Sequence, residues 1–175
     1  MNKIFITGIS GTGKTVIADA LQKKGINAFD MDMHDLCCWI NKNDGKKVDY
    51  EAKLDKEFID SHVWVCDTEL LKKMLDTEGT VVMLGHPENT EEILPLFDKF
   101  ILLQCKPETF LKRILERKDN DFGKDETAKQ HLLDTYKKFE NDMLKLGAES
   151  LNVEGPLDDV INNIMIKIKE NHALK

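Results

Sequence analysis

Apolar residues in this chain fall into short continuous runs separated by stretches of helical periodicity. Lys3-Ile4-Phe5-Ile6-Thr7, Ile26-Asn27-Ala28-Phe29, Thr80-Val81-Val82-Met83-Leu84, Phe100-Ile101-Leu102-Leu103-Gln104-Cys105 and the weaker Glu149-Ser150-Leu151-Asn152-Val153 read as strands. Runs that are apolar throughout, instead of alternating, mark strands covered on both faces, as in a parallel sheet between helices. The intervening segments carry helix signals. Residues 67–75 group Leu70, Leu71, Met74 and Leu75; Asn89 can cap a helix through Leu96, with Glu91 and Glu92 in its first turn. Pro107 starts a helix through Arg117, and Leu132, Leu133, Tyr136, Phe139, Met143 and Leu146 mark a long amphipathic one. Pro156 opens the last, with Val160, Ile161, Ile164 and Ile168 on its apolar face. The pattern predicts an α/β fold in a single domain over residues 1–175, with no repeat, low-complexity segment or dividing linker. Polar, glycine-containing stretches at 41–47 and 118–125 read as surface excursions.

Composition narrows the class without naming a function. A chain of 175 residues with 41% hydrophobic and 33% charged content can bury a sizeable core and is not disordered. Its net charge of −7 argues against non-specific binding to nucleic acid or to an anionic membrane. The apolar runs fall short of the roughly 20 residues of a membrane span, and no secretory apolar region precedes the first strand. A cytoplasmic protein, monomer or homodimer, acting on a small molecule is the expectation. Cys37, Cys38, Cys66 and Cys105 form no C-x-x-C pair, and His34 with Cys37 offers two metal ligands with nothing nearby to complete four. Free thiols are expected.

The chemistry enters at Gly8-Ile9-Ser10-Gly11-Thr12-Gly13-Lys14-Thr15, which spells G-x-x-x-x-G-K-[ST]. Glycines at Gly8, Gly11 and Gly13 let the backbone N–H groups of a loop containing Ser10 and Thr12 turn toward a polyphosphate. Lys14 reaches the terminal phosphates, and the Thr15 hydroxyl suits Mg²⁺. A strand precedes the loop, and a helix beginning with Val16, Ile17, Ala18 and Leu21 follows, its positive dipole end facing the anion.

Other candidates cluster around that loop in the order of the strands. Asp30 and Asp32 follow the second strand, at the carboxyl end where open parallel sheets bind ligands. Two carboxylates at i and i+2 can divide labour: one places Mg²⁺ and the other accepts a proton from an attacking hydroxyl. Arg113 and Arg117 are the only arginines beside 23 lysines, and on a helix they share one face, as a phosphate clamp requires. The polar stretch 118–125 after them reads as a mobile lid. Gly85 and His86 follow the strongest strand, where a glycine allows close backbone approach to a substrate. Trp64 reads as a core residue ahead of a substrate platform. Asn41-Lys42-Asn43-Asp44 and Asp76-Thr77-Glu78-Gly79 imitate the guanine and magnesium motifs of small GTPases, but in the wrong order. Asn41 is moreover expected to follow a helical segment, so both are read as chance.

These motifs resemble the small P-loop kinases, the group of shikimate kinase, gluconate kinase and adenylate kinase, over nearly the whole chain. Gly8 to Thr15 is similar to their phosphate loop, and Asp30-Met31-Asp32 resembles the D-x-D of shikimate kinase. Gly85 stands where their glycine-containing substrate loop lies, and Arg113-Ile114-Leu115-Glu116-Arg117 is similar to the R-x-x-x-R leading into the adenylate kinase lid. Glu154-Gly155-Pro156-Leu157 occupies the place of their adenine loop. The resemblance implies a five-stranded parallel sheet of order 2-3-1-4-5 flanked by helices. It also implies an ATP-dependent, Mg²⁺-requiring kinase in which Thr15 and Asp30 hold the metal. Asp32 would activate the acceptor hydroxyl, while Arg113 and Arg117 close over the transferring group. Members of the group grip anionic acceptors with further arginines, which this chain lacks. An anionic acceptor would need lysines at 41–47 or 53–56; otherwise the acceptor is neutral or weakly charged. A nucleoside monophosphate kinase and a regulatory module with slow ATP hydrolysis are the alternative readings.

Overall fold

The computed structural model describes residues 2–32, 36–48, 56–118 and 123–170. His34, Lys53, the side chain of Lys56 and residues 119–122, the centre of the expected lid, lie outside the described residues. The chain runs β1 (Lys3–Thr7), α1 (Lys14–Lys23), β2 (Asn27–Asp30), β3 (Cys37–Asn41), β4 (Lys47–Val48), α2 (Lys56–Ser61), β5 (His62–Cys66) and α3 (Thr68–Leu75). It continues through β6 (Val81–Leu84), α4 (Thr90–Ile93), a 3-10 turn at Leu94–Leu96, β7 (Lys99–Gln104), α5 (Pro107–Glu116), α6 (Glu126–Lys145), β8 (Glu149–Asn152) and α7 (Leu157–Glu170). No helix among the described residues is long and apolar enough to cross a membrane.

Five strands form a parallel sheet in the order β2-β6-β1-β7-β8, which is 2-3-1-4-5 when only its own strands are counted, as expected. The unbroken apolar runs have the predicted cause. Ile4, Ile6, Val82, Leu84, Ile101 and Leu103 face one layer with Ile17, Ala18 and Leu21 of α1 and Val160, Ile161, Ile164 and Ile168 of α7. The alternate residues Phe5, Val81, Met83, Phe100 and Leu102 face the other, against Leu71 and Leu75 of α3 and Met143 of α6. Each such buried side chain stabilises the fold by about 1.5–3 kcal/mol, so neither face can be spared.

The second sheet, antiparallel with the order β4-β3-β5, is absent from the expectations. Asn41, expected to follow a helical segment, is the last residue of β3, and the hairpin after it turns through Asp44 and Gly45, with Gly45 at φ 69. Its strands are short and half-buried, so they carry no long apolar run. The N-K-x-D look-alike occupies this turn, and the D-x-x-G look-alike occupies the connection from α3 to β6.

Asn89 joins the two sheets. The Asp67 N–H donates to the Leu36 carbonyl at 2.8 Å, so the adjacent opposed pair Cys37–Cys66 is a non-hydrogen-bonded one. The peptide groups of Cys66 therefore point away from β3. Asn89 takes both: its Oδ1 accepts from the Cys66 N–H at 2.8 Å and its Nδ2 donates to the Cys66 carbonyl at 3.1 Å. Glu88 repeats the device, accepting from the Trp64 N–H at 3.0 Å and donating its own N–H to the Trp64 carbonyl at 2.7 Å. Asn89, expected as a side-chain cap for the following helix, makes no such bond there. Asn89→Ala should orphan two peptide groups of the buried Cys66 and destabilise by about 1–3 kcal/mol for each. Urea denaturation measures this; a wild-type midpoint would mean that Asn89 does not tie the sheets together.

Candidate active site

The loop between β1 and α1 is closed down on its neighbours. A Cβ on Gly8 would lie 2.6 Å from Thr12 Oγ1 and 3.0 Å from Leu103 Cβ. One on Gly11, at φ +85, would lie 2.5 Å from the Phe110 carbonyl oxygen of α5. The buried Thr12 hydroxyl donates to the Ile9 carbonyl at 2.8 Å and fixes the turn. Helix α1 begins at Lys14 with Gly13 at its N-cap, without a side-chain cap and without an acidic residue in its first turn. Its N-terminal N–H groups and dipole are thus left for an external anion.

Lys14 folds over that loop, donating from Nζ to the Gly8 carbonyl at 2.6 Å and the Ile9 carbonyl at 3.2 Å. Burial lowers its pKa, the nearby Asp32 and Asp30 charges oppose that, and Arg117 adds to the lowering. The Thr15 hydroxyl donates to Asp30 Oδ2 at 2.5 Å, and the Asp32 N–H donates to Asp30 Oδ1 at 3.0 Å. Both oxygens of the buried Asp30 are therefore engaged, which fixes it against α1. Asp32 is exposed, and its Oδ1 accepts from the Trp64 indole N–H at 3.2 Å. Crowding by the surrounding protein raises its pKa, Lys14 pulls it down, Asp30 pushes it up and the Trp64 bond lowers it; contact with water tempers the sum.

The two arginines part. Helix α5 stops at Glu116, and Arg117 follows in an extended conformation, φ −70 and ψ 150. The four-residue spacing therefore no longer puts both on one helix face. Arg117 Nη1 donates to Ser10 Oγ of the phosphate loop at 3.1 Å. Arg113 Nη2 instead donates to the Val153 carbonyl at 2.7 Å, at the end of the last strand. Beside it Glu154 accepts from the Lys106 N–H at 3.1 Å and the Thr109 hydroxyl at 2.9 Å, tying the loop before α7 to the start of α5.

Gly85 is needed for packing: a Cβ there would lie 2.7 Å from Sδ of the fully buried Met31, so what approaches this backbone is Met31. His86 is half-buried, with its ring 4.1 Å from that of Phe139 on α6. Trp64, read from the sequence as core, is half-buried and reaches Asp32 across 32 residues of chain; no local spacing signals such a pair. Around the lid stretch, Asp125 caps α6 by accepting from the Ala128 N–H at 2.9 Å.

The oxygen donors suit one kind of metal. Among the described residues no group of three or more His, Cys, Asp or Glu side chains comes together. Thr15 and Asp30 offer hard oxygens at the loop's mouth, which fits Mg²⁺, an ion bound by one or two protein oxygens together with substrate phosphates and water.

Burial, then the Lys14 charge, depress the His86 pKa from 6.5 to about 3. The unfolded chain takes up this proton near pH 6.5 and the folded one refuses it. Stability is therefore complete above pH 6.5 and falls as pH drops toward 3, by about 1.4 kcal/mol per pH unit. Chemical denaturation between pH 6.5 and about pH 5 should show a loss of about 2 kcal/mol that His86→Gln removes. An equal slope in the variant would contradict the placement of His86.

Comparison with known proteins agrees with this geometry. The fold is that of the small P-loop kinases. A shikimate kinase from Bacteroides thetaiotaomicron superposes with a TM-score of 0.63 at 15% identity, over 96% of this chain and 98% of that one. A gluconokinase from Sinorhizobium meliloti 1021 gives 0.54 at 13% identity, over 97% and 92%. A deoxyadenosine kinase from M. mycoides gives 0.53 at 17% identity, over 96% and 98%. At such identities the likeness is one of fold. No curated protein matches the sequence. Residues 4–134, from β1 into α6, match the AAA domain family. With the phosphate loop at the head of its central strand and most of its length inside that match, this chain belongs to the AAA domain family.

Proposed function

We propose that this chain is an ATP-dependent, Mg²⁺-requiring kinase that transfers the γ-phosphoryl group to a hydroxyl of a small molecule. The observation that carries the reading is Asp32: an exposed carboxylate beside the phosphate-loop lysine, held by the Trp64 indole N–H at 3.2 Å. A hydrolytic switch needs no such group facing an acceptor. The likeness in fold to kinases acting on shikimate, gluconate and deoxyadenosine supports it.

The backbone N–H groups from Gly8 to Thr15 cradle the phosphates, and Lys14 moves its ammonium from the Gly8 and Ile9 carbonyls to the terminal phosphate oxygens. Thr15 and Asp30 would hold Mg²⁺, which would supply positive charge to offset that of the phosphates. Asp32 accepts the proton of the acceptor hydroxyl as its oxygen bonds to phosphorus and the bond to ADP breaks. Arg117, anchored at Ser10, presents a planar fork of donors to the charge that develops there. Arg113 serves this site indirectly, by holding Val153 and the loop that follows it.

Asp32→Asn keeps the size and the indole bond but removes the proton acceptor. It should lower kcat by about 10²–10⁴-fold while leaving ATP affinity near wild type. Coupled ADP-release kinetics and calorimetric ATP titration measure the two effects. Wild-type kcat with every accepted substrate would overturn the role given to Asp32.

A further inference from the structure

Strands β3 and β5 oppose Cys37 to Cys66, Trp39 to Trp64 and Asn41 to His62, so these six side chains share one face of the small sheet. Cys37 and Cys66 are buried in the core beside Met31 and Leu36. The Trp64 indole, next along that face, bonds to Asp32. Trp39 packs on Trp64 with ring centroids 5.3 Å apart and on Phe58 at 5.3 Å, and Phe58 stacks on His62 at 4.0 Å. The face nearest the proposed base is therefore aromatic.

The two charged side chains that bond to Trp64 are both acidic. Asp32 and Glu88 both bond to Trp64, one at its indole and one at its backbone N–H. Of the two lysine groups that an anionic acceptor would use, the side chains of Lys53 and Lys56 lie outside the described residues, and the lysines of 41–47 are turned elsewhere. Lys42 donates to the Ile59 and Asp60 carbonyls at 3.3 and 3.0 Å, and Lys46 pairs with Asp44 at 3.2 Å on the exposed hairpin. Lys47 opposes Ile40, which puts it on the other face of the sheet with Cys38, whose thiol its charge influences. Lys14 belongs to the phosphates. Among the described residues, no cation is turned to the aromatic face beside Asp32.

We infer that the acceptor is an uncharged, ring-bearing alcohol that lies against Trp64, supported by Trp39, with its reacting hydroxyl on Asp32. This rests on the kinase reading and adds to it a substrate class. Indole stacks on any flat or weakly puckered neutral ring, whereas a carboxylate or phosphate placed here would meet Asp32, whose cation among the described residues is Lys14, committed to the nucleotide phosphates. Trp64 sets specificity through its ring and positions Asp32 through its N–H.

The test uses the full chain with ATP and Mg²⁺ and three acceptor pairs that keep ring and reacting hydroxyl and differ in charge: adenosine and 3′-AMP, thymidine and 3′-TMP, and the methyl ester of glucuronate and glucuronate. Phosphoryl transfer is read by phosphorus NMR and kcat/KM by ADP release. The neutral member of the productive pair should exceed its anionic partner by at least about tenfold, and the identity of that pair separates a nucleoside from a sugar. Equal or better transfer to the anion overturns the inference and leaves the kinase reading standing. Transfer to none of the six overturns both. On the best acceptor, Trp64→Phe keeps a ring but loses the indole N–H, so kcat should fall about tenfold with KM within about threefold. Trp64→Leu removes the ring and should raise KM by at least about tenfold, given the strength of stacking on an aromatic platform. A wild-type KM in Trp64→Leu would overturn the stacking role, and the matched pairs decide the matter if that variant does not fold.

Discussion

The candidate site depends on two points of backbone that have no room for a side chain. Gly8 lies against Leu103 of β7 and Gly11 against the Phe110 carbonyl of α5, the latter in a left-handed conformation that other residues adopt only with strain. Because the loop is pressed into the sheet from both sides, α1 starts where β1 ends, and its N-terminus opens at the carboxyl edge of the sheet. Lys14 and Thr15 are placed by that start. Helix α5, which supplies the wall against Gly11, also ends at the point from which Arg117 reaches Ser10. One packing contact therefore fixes the cradle, and the same helix delivers the guanidinium that guards it.

The second organising contact is the buried Asp30. Its two oxygens take the Thr15 hydroxyl and the Asp32 N–H, so the end of β2 is locked to the start of α1 and the following carboxylate is turned outward. The short turn at residues 30–32 thus separates two carboxylates by environment: one buried and satisfied, the other exposed, with its proton affinity raised. Such a difference lets neighbouring acids do different work. The small antiparallel sheet completes the arrangement by bringing Trp64 to Asp32, while Asn89 and Glu88 bind that sheet to the loop after β6. In the proposed reaction, acceptor side and phosphate side are held by separate sheets that meet at one carboxylate.

How much of this was legible in the sequence follows from the range of each signal. The main sheet was legible because burial on both faces leaves unbroken apolar runs, and the phosphate loop because its requirements lie within eight residues. The small sheet was not. Its strands are five residues or fewer and half-buried, and their pairing joins positions such as Cys37 and Cys66 that local periodicity does not connect. Asp44-Gly45 is a local hairpin turn signal, but no long apolar strand flanks it. The arginine pair failed on a boundary, since a helix that ends at Glu116 breaks the spacing rule for Arg117. Trp64 packs against the core as read, but its bond to Asp32, like the sheet-joining role of Asn89, was not legible, because an indole and an amide serve many roles and only distant partners select among them.

The central claim is that Gly8 to Thr15 hold a nucleotide polyphosphate, and calorimetric titration of Mg²⁺–ATP into the wild-type chain and Lys14→Ala tests it most directly. The wild type should bind one equivalent. Loss of one charge-assisted contact should weaken binding by about 10–100-fold in the variant, with the fold intact by circular dichroism. Equal affinity in the two proteins, or no binding by the wild type, would contradict the account.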